Sequence, residues 1–167
     1  MRRLMFVTIA VALSAAAGCG GPLSPSQRSD LEKARARWES AGITNYTAES
    51  RIRCFCPGHL AVWTRLSIRD NQVIDTQPLE PLPPGSFATP FGWRTVTELF
   101  DRIEQLNQEE YIKSVTVQYD PVLGYPQQIV VTCQSNVIDC GVTYEMRSVT
   151  EQRLAAWVIP FRLRPIS

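Results

Sequence analysis

The residues best placed to do chemistry lie in one short stretch, "RIRCFCPGHL" (51–60). Cys54 and Cys56 have one residue between them, and His59, the only histidine of the chain, follows three residues after Cys56. Three chemistries suit this pattern. A Cys-x-Cys-x-x-His set is a soft-metal site, although zinc sites usually place two to four residues between paired cysteines and no fourth ligand stands nearby. A redox pair needs a thiol pKa lowered by a helix N-terminus or a neighbouring cation. These cysteines end a predicted strand, with Arg53 on the opposite face. A structural disulfide is the third reading. A flat strand holds residues i and i+2 near the upper limit of about 7 Å between Cα atoms, so Pro57 and Gly58 would have to bend the chain. The residues favour the disulfide, and a lone loop histidine is expected in solvent.

Cys133 and Cys140 bracket "QSNVID", a plausible hairpin loop. A bridge there would constrain the unfolded chain by about 2 kcal/mol. Four cysteines allow three connectivities, so cross-pairing with Cys54 and Cys56 stays open. "YDPVLGYP" presents Tyr119, Asp120 and Tyr125 either as a recognition loop or as a turn, with Asp-Pro opening it and Gly124 supplying an unusual backbone angle. Phe87, Phe91 and Trp93 sit among prolines and are either binding anchors or caps on the core. There is no nucleophile elbow, phosphate-binding glycine loop, dinucleotide fingerprint or paired-histidine motif. No catalytic residue, metal ligand or cofactor is assigned.

The chain begins with an address. Arg2 and Arg3 precede an apolar run, Leu4 to Ala17, that is too short to span a bilayer and ends in small residues. "LSAAAGC" resembles a bacterial lipobox. By that resemblance residues 1–18 are a signal peptide and Cys19 is the lipidated first residue, with Ala16 where leucine is usual. A plain secretory signal or a single spanning helix are the rivals. Acyl chains contribute roughly 0.8 kcal/mol per buried methylene, and two or more give stable attachment. Residues 19–24 read as a flexible tether. Gly20 in place of aspartate leans toward the outer membrane where the host has one, and otherwise the outer face of the cell membrane.

The whole chain carries 17 basic and 16 acidic residues. Removing Arg2 and Arg3 with the signal leaves 17 less two, or 15, against 16. That balance gives no basic field for nucleic acid. Five cysteines less the lipidated one leave an even four, which outside the cytoplasm is read first as disulfides.

The elements that position these residues follow from periodicity. Ser24, Pro25 and Gln27 mark a helix start. Leu31, Ala34, Trp38 and Ala41 form its apolar face, and Gly42 ends it. Tyr46, Ala48, Ile52, Cys54 and Cys56 share one strand face, while Thr47, Glu49, Arg51 and Arg53 share the other. "LAVWTRLSI" and "QVIDT" predict two more strands, and the proline-rich linker 78–93 follows. Thr95 and Glu98 open a second helix striped by Val96, Leu99, Phe100, Ile103 and Leu106. "IKSVTVQY", "QQIVVTC" and "VTYEMRSV" predict three further strands. The expectation is a single α+β domain over residues 25–150. Two helix–three-strand units would form an antiparallel sheet with both amphipathic helices on one face, and a C-terminal tail, 151–167, would follow.

On "RIRCFCPG", the hairpin after it, "TVTELFDRIEQL" and "VQYDPVLGYPQQI", the chain from Trp38 to Val149 resembles a family of small bacterial envelope lipoproteins. That family is known only as a domain of unknown function. Its more specific parts are the Arg-x-Cys-Phe-Cys and Tyr-Asp-Pro…Gly-Tyr-Pro stretches. The resemblance implies a fold and a compartment, with no activity, substrate or catalytic residue. Its pattern includes the first cysteine pair and not the second, which implies that each pair is self-sufficient: Cys54 with Cys56, and Cys133 with Cys140. Two functions remain in view. One is a membrane-anchored, non-enzymatic module binding an envelope protein or peptide through its sheet edge or linker. The other is a thiol-dependent redox or metal-handling protein using the Cys-x-Cys pair.

Overall fold

The structure, a computed structural model, describes residues 21–152. Cys19, the signal segment and residues 153–167 of the predicted tail lie outside the described residues. The elements in chain order are α1 (Pro25–Ala41), β1 (Tyr46–Arg53), a short 3-10 turn (Gly58–Leu60), β2 (Thr64–Arg69), β3 (Gln72–Pro78), α2 (Val96–Leu106), β4 (Ile112–Tyr119), β5 (Pro126–Cys133) and β6 (Val142–Glu151). This is the expected order of helix, three strands, connection, helix, three strands. The fold is α+β, with one six-stranded antiparallel sheet in the order β3-β2-β1-β6-β5-β4. The first strand of one unit therefore pairs with the last strand of the other, at the centre of the sheet.

Local chemistry accounts for the element ends. The Ser24 hydroxyl accepts from Gln27 N while the Gln27 side chain accepts from Ser24 N, a reciprocal cap that satisfies otherwise orphaned donors. Thr95 and Glu98 repeat the device on α2. Gly42 closes α1 in the left-handed region, φ 63°. Ala41, expected on the apolar face, is exposed there, because the helix stops beside it. Asp70 and Asn71 both take positive φ, the primed turn whose twist matches a two-residue hairpin.

The sheet has one covered face. Tyr46, Ala48 and Ile52 of β1, Leu66 and Ile68 of β2, Ile129 and Val131 of β5 and Tyr144 and Met146 of β6 are buried. They share a core with Leu31, Ala34 and Trp38 of α1 and with Leu99, Phe100 and Ile103 of α2. Helix α2 packs on β4 and β5. Helix α1 is tied to α2 by Arg35, which bridges Asp101 at 2.9 Å and Glu104 at 3.3 Å. Val96 N, at the start of α2, donates to the buried Tyr46 hydroxyl at 2.8 Å, and burial raises the pKa of that phenol.

Two sequence expectations need correction here. "LAVWTRLSI" is not strand throughout: a 3-10 turn occupies Gly58–Leu60 and β2 starts only at Thr64. Residues 21–24 are not a loose tether. Leu23 is buried in the core, and its amide donates to Asn107 Oδ1 at 2.9 Å. A Cβ at Gly21 would meet Asn107 O at 2.4 Å. Burial of the Leu23 side chain and the pairing of its amide with Asn107 offset part of the entropy lost in ordering this segment.

Antiparallel pairing gathers the loops into two sets. At one end of the sheet lie the segments after β1, β3 and β5 and those before β2, β4 and β6. At the other lie the Asp70–Asn71 turn and the Asp120–Tyr125 loop.

Candidate functional site

The cysteine stretch belongs to the first of these ends. Strand β1 stops at Arg53, so Cys54 and Cys56 are not on its core face as the alternation predicts. They sit half-buried in a bend beyond it, at the margin of the core. The bend brings their Cα atoms to 5.2 Å, inside the range a disulfide needs, and the two are at disulfide distance. Cys133 and Cys140 are likewise at disulfide distance, with Cα atoms 6.1 Å apart. Both pairs are local, and Phe55, between the first two cysteines, is 87 % exposed.

His59 departs from the expectation of a solvated loop residue. It is buried, its Nε2 lies 3.0 Å from the Phe91 carbonyl oxygen, and its ring meets Trp93 edge-on at 6.3 Å. A carbonyl only accepts, so Nε2 is the donor. His59 thus pins the proline-rich linker to the turn after the cysteines. Among the described residues no group of three His, Cys, Asp or Glu side chains is placed to hold a metal ion.

The linker aromatics separate. Trp93 is buried and closes the core, whereas Phe87 and Phe91 are 73 % and 78 % exposed beside Pro57 and Gly58. The "YDPVLGYP" loop is structural. Asp120 Oδ1 accepts from Val122 N at 2.9 Å and Leu123 N at 2.6 Å. Arg37 of α1 donates to the carbonyls of Asp120 and Pro121. Gly124 has φ 84°, and a Cβ there would lie 2.4 Å from Ala34 O, so only glycine fits. Tyr125 is buried and Tyr119 stacks on Phe100; burial raises the pKa of both phenols. The loop braces α1 against the β4–β5 hairpin and does not present its tyrosines for recognition.

The sheet face away from the helices carries a constellation that the sequence reading did not assemble. Trp63 lies beneath two guanidiniums, Arg147 at 3.9 Å and Arg51 at 4.6 Å from its ring centre. Glu49 takes Arg65 at 3.2 Å and Arg147 at 3.0 Å. Glu145 takes Arg51 at 2.8 Å and Arg53 at 3.2 Å. Partial burial raises the pKa of Glu49, but hydrogen bonds from Arg147 and Arg65 outweigh it and hold the carboxyl below its usual range. Four arginines over two glutamates leave a net positive surface built around an aromatic ring. The signal for half of it, Glu49, Arg51 and Arg53 alternating on β1, is present in the sequence. The other half needs the pairing of β1 with β6, which sets Arg147 opposite Glu49 and Glu145 opposite Arg51.

A six-stranded antiparallel sheet, helix-covered on one face and arginine-rich on the other, defines an α+β domain with two locally paired sets of cysteines at one end. The chain belongs to a family of unknown function, DUF6174, whose model matches residues 30–151. No curated protein and no solved structure matches it.

Proposed function

We propose that this protein is a lipid-anchored domain of the cell envelope that works by binding, without catalysis, and that its partner is an acidic protein or peptide segment. The observation that carries the reading is the open sheet face. Arg51 and Arg147 are held over Trp63, and two carboxylates shared among four arginines fix the guanidiniums in place. Pre-oriented guanidiniums bind carboxylates bidentately and lose less entropy on doing so than free side chains. The envelope location is supported by the "LSAAAGC" stretch ending at Cys19 and by two locally paired sets of cysteines, which suit an oxidising compartment. We read Arg-x-Cys-Phe-Cys and Tyr-Asp-Pro…Gly-Tyr-Pro as motifs of this family, serving to turn the chain after β1 and to brace α1.

Two experiments test the two parts of the reading. Cys19→Ala is expected to move the protein from the membrane fraction to the soluble one with its fold intact; a variant that stays in the membrane removes the anchor. For the binding face, hexaglutamate titrated into the protein is expected to change Trp63 emission, hexalysine is not, and added salt weakens the response. Arg147→Ala should reduce it several-fold. Equal responses to both peptides, or none to either, would refute the acidic partner.

A further inference from the structure

Eight large apolar side chains among the described residues are exposed, and their distribution is uneven. Phe55, Leu79, Phe87, Phe91, Tyr111 and Ile138 all stand at or beside the cysteine-bearing end of the sheet. Phe55 and Ile138 project from the two cysteine loops, 87 % and 86 % exposed. Phe87 and Phe91 flank Pro57 and Gly58. Leu79 directly follows β3, and Tyr111 directly precedes β4. At the opposite end Val122 is alone, and Ile74 lies within edge strand β3. Apolar side chains scattered singly need no explanation, but this concentration at one end does.

The described chain also begins at that end. Gly21 and Pro22 share a cleft with Gln108, Lys113 and Gln134, where α2 runs into β4 and β5 ends. Because Leu23 is buried and Gly21 is packed against Asn107, the segment offers no slack. Only Gly20 separates Cys19 from Gly21, and two residue steps span at most about 7 Å. An acyl group on Cys19 would tether this end of the domain to the lipid surface through a backbone span no longer than that.

We infer that the cysteine-bearing end of the domain is a membrane-docking surface, with Phe55 and Ile138 entering the headgroup–acyl boundary and Phe87 and Phe91 beside them. This rests on the lipid-anchor reading of Cys19. Insertion of a few apolar side chains is weak alone, but a short covalent tether makes it an intramolecular event at high effective concentration. The attraction is apolar. Charges at this end are mixed, with Arg53 and Lys113 set against Glu80, Glu110 and Asp139, so a zwitterionic bilayer suffices. Docked this way, the strands rise from the membrane and the arginine face looks along it.

The test uses the full processed chain in phosphatidylcholine vesicles whose acyl chains carry bromine close to the headgroup. Mass spectrometry first reads the group on Cys19. Phe55→Trp, Ile138→Trp and Val122→Trp are then compared for the emission each adds to the wild type. Bromolipid is expected to quench most of the added emission at 55 and 138 and none at 122, with no dependence on salt. Equal quenching at all three, or none on an acylated chain, overturns the docking surface and leaves the anchor standing. A chain without an acyl group on Cys19 overturns the anchor and the docking surface together.

Discussion

The two faces of the sheet are built from the same strands and hold together by different physics. On the covered face, Tyr46, Leu66, Ile129 and Met146 are shut away from water in one core with the apolar stripe of α2. On the open face, one residue along each strand, Glu49, Arg65 and Arg147 meet in ion pairs whose arginines are about half-exposed. Apolar burial is worth roughly 25 cal/mol per Å² and tolerates little loss of volume. Partly exposed ion pairs are worth about 0–1 kcal/mol each. The covered face therefore holds most of the fold, and stability depends little on the open-face charges, which leaves them available for the binding proposed above.

The sharpest way to break this contrast is at Phe100. Its ring is buried under Tyr119, with the Arg35 guanidinium 5.4 Å from its centre. Phe100→Ala should cost on the order of 3–5 kcal/mol, a large share of a domain's stability. Urea unfolding of the variant against wild type measures it. A loss below about 1 kcal/mol, the scale of the open-face ion pairs, would mean that the helices are not what secures the sheet.

The covered face was readable in advance for a physical reason. Its residues repeat at the period of the element that carries them, so Trp38, Leu99, Phe100 and Ile103 announce their burial without knowledge of a partner. Reciprocal caps at Ser24–Gln27 and Thr95–Glu98 fixed the helix starts in the same local way. Contacts that depend on distant pairing were not legible. Leu23 looks like one apolar residue in a spacer until Asn107, 84 positions on, accepts its amide hydrogen. His59 looks solvated until the linker folds back and sets the Phe91 carbonyl over it. Cys54 and Cys56 continue the alternation of β1, and only the bend after Arg53 takes them off its face. The Trp63 cluster draws on β1, the turn into β2, and β6, so no window of sequence contains it.

Glu49 sharpens the contrast from the other side. Its carboxylate accepts from Arg65 and Arg147, which hold its pKa below the usual range against the opposing effect of partial burial. A folded-state pKa below the unfolded value, which is about 4.3 for a glutamate, stabilises the folded state above that pH. The contribution is lost as pH falls through the depressed folded-state value. Glu49→Gln should therefore cost no more than about 1 kcal/mol at neutral pH, since the ion pairs are screened by solvent. The difference from wild type should shrink toward zero in acid and also narrow at high salt. Urea titrations at neutral and acidic pH read both trends. A Glu49→Gln deficit that persists unchanged into acid would assign the residue a packing role and erase the distinction between the faces at this position. A deficit that closes with acid leaves Arg65 and Arg147 as cations whose pairing the fold can spare for an incoming carboxylate.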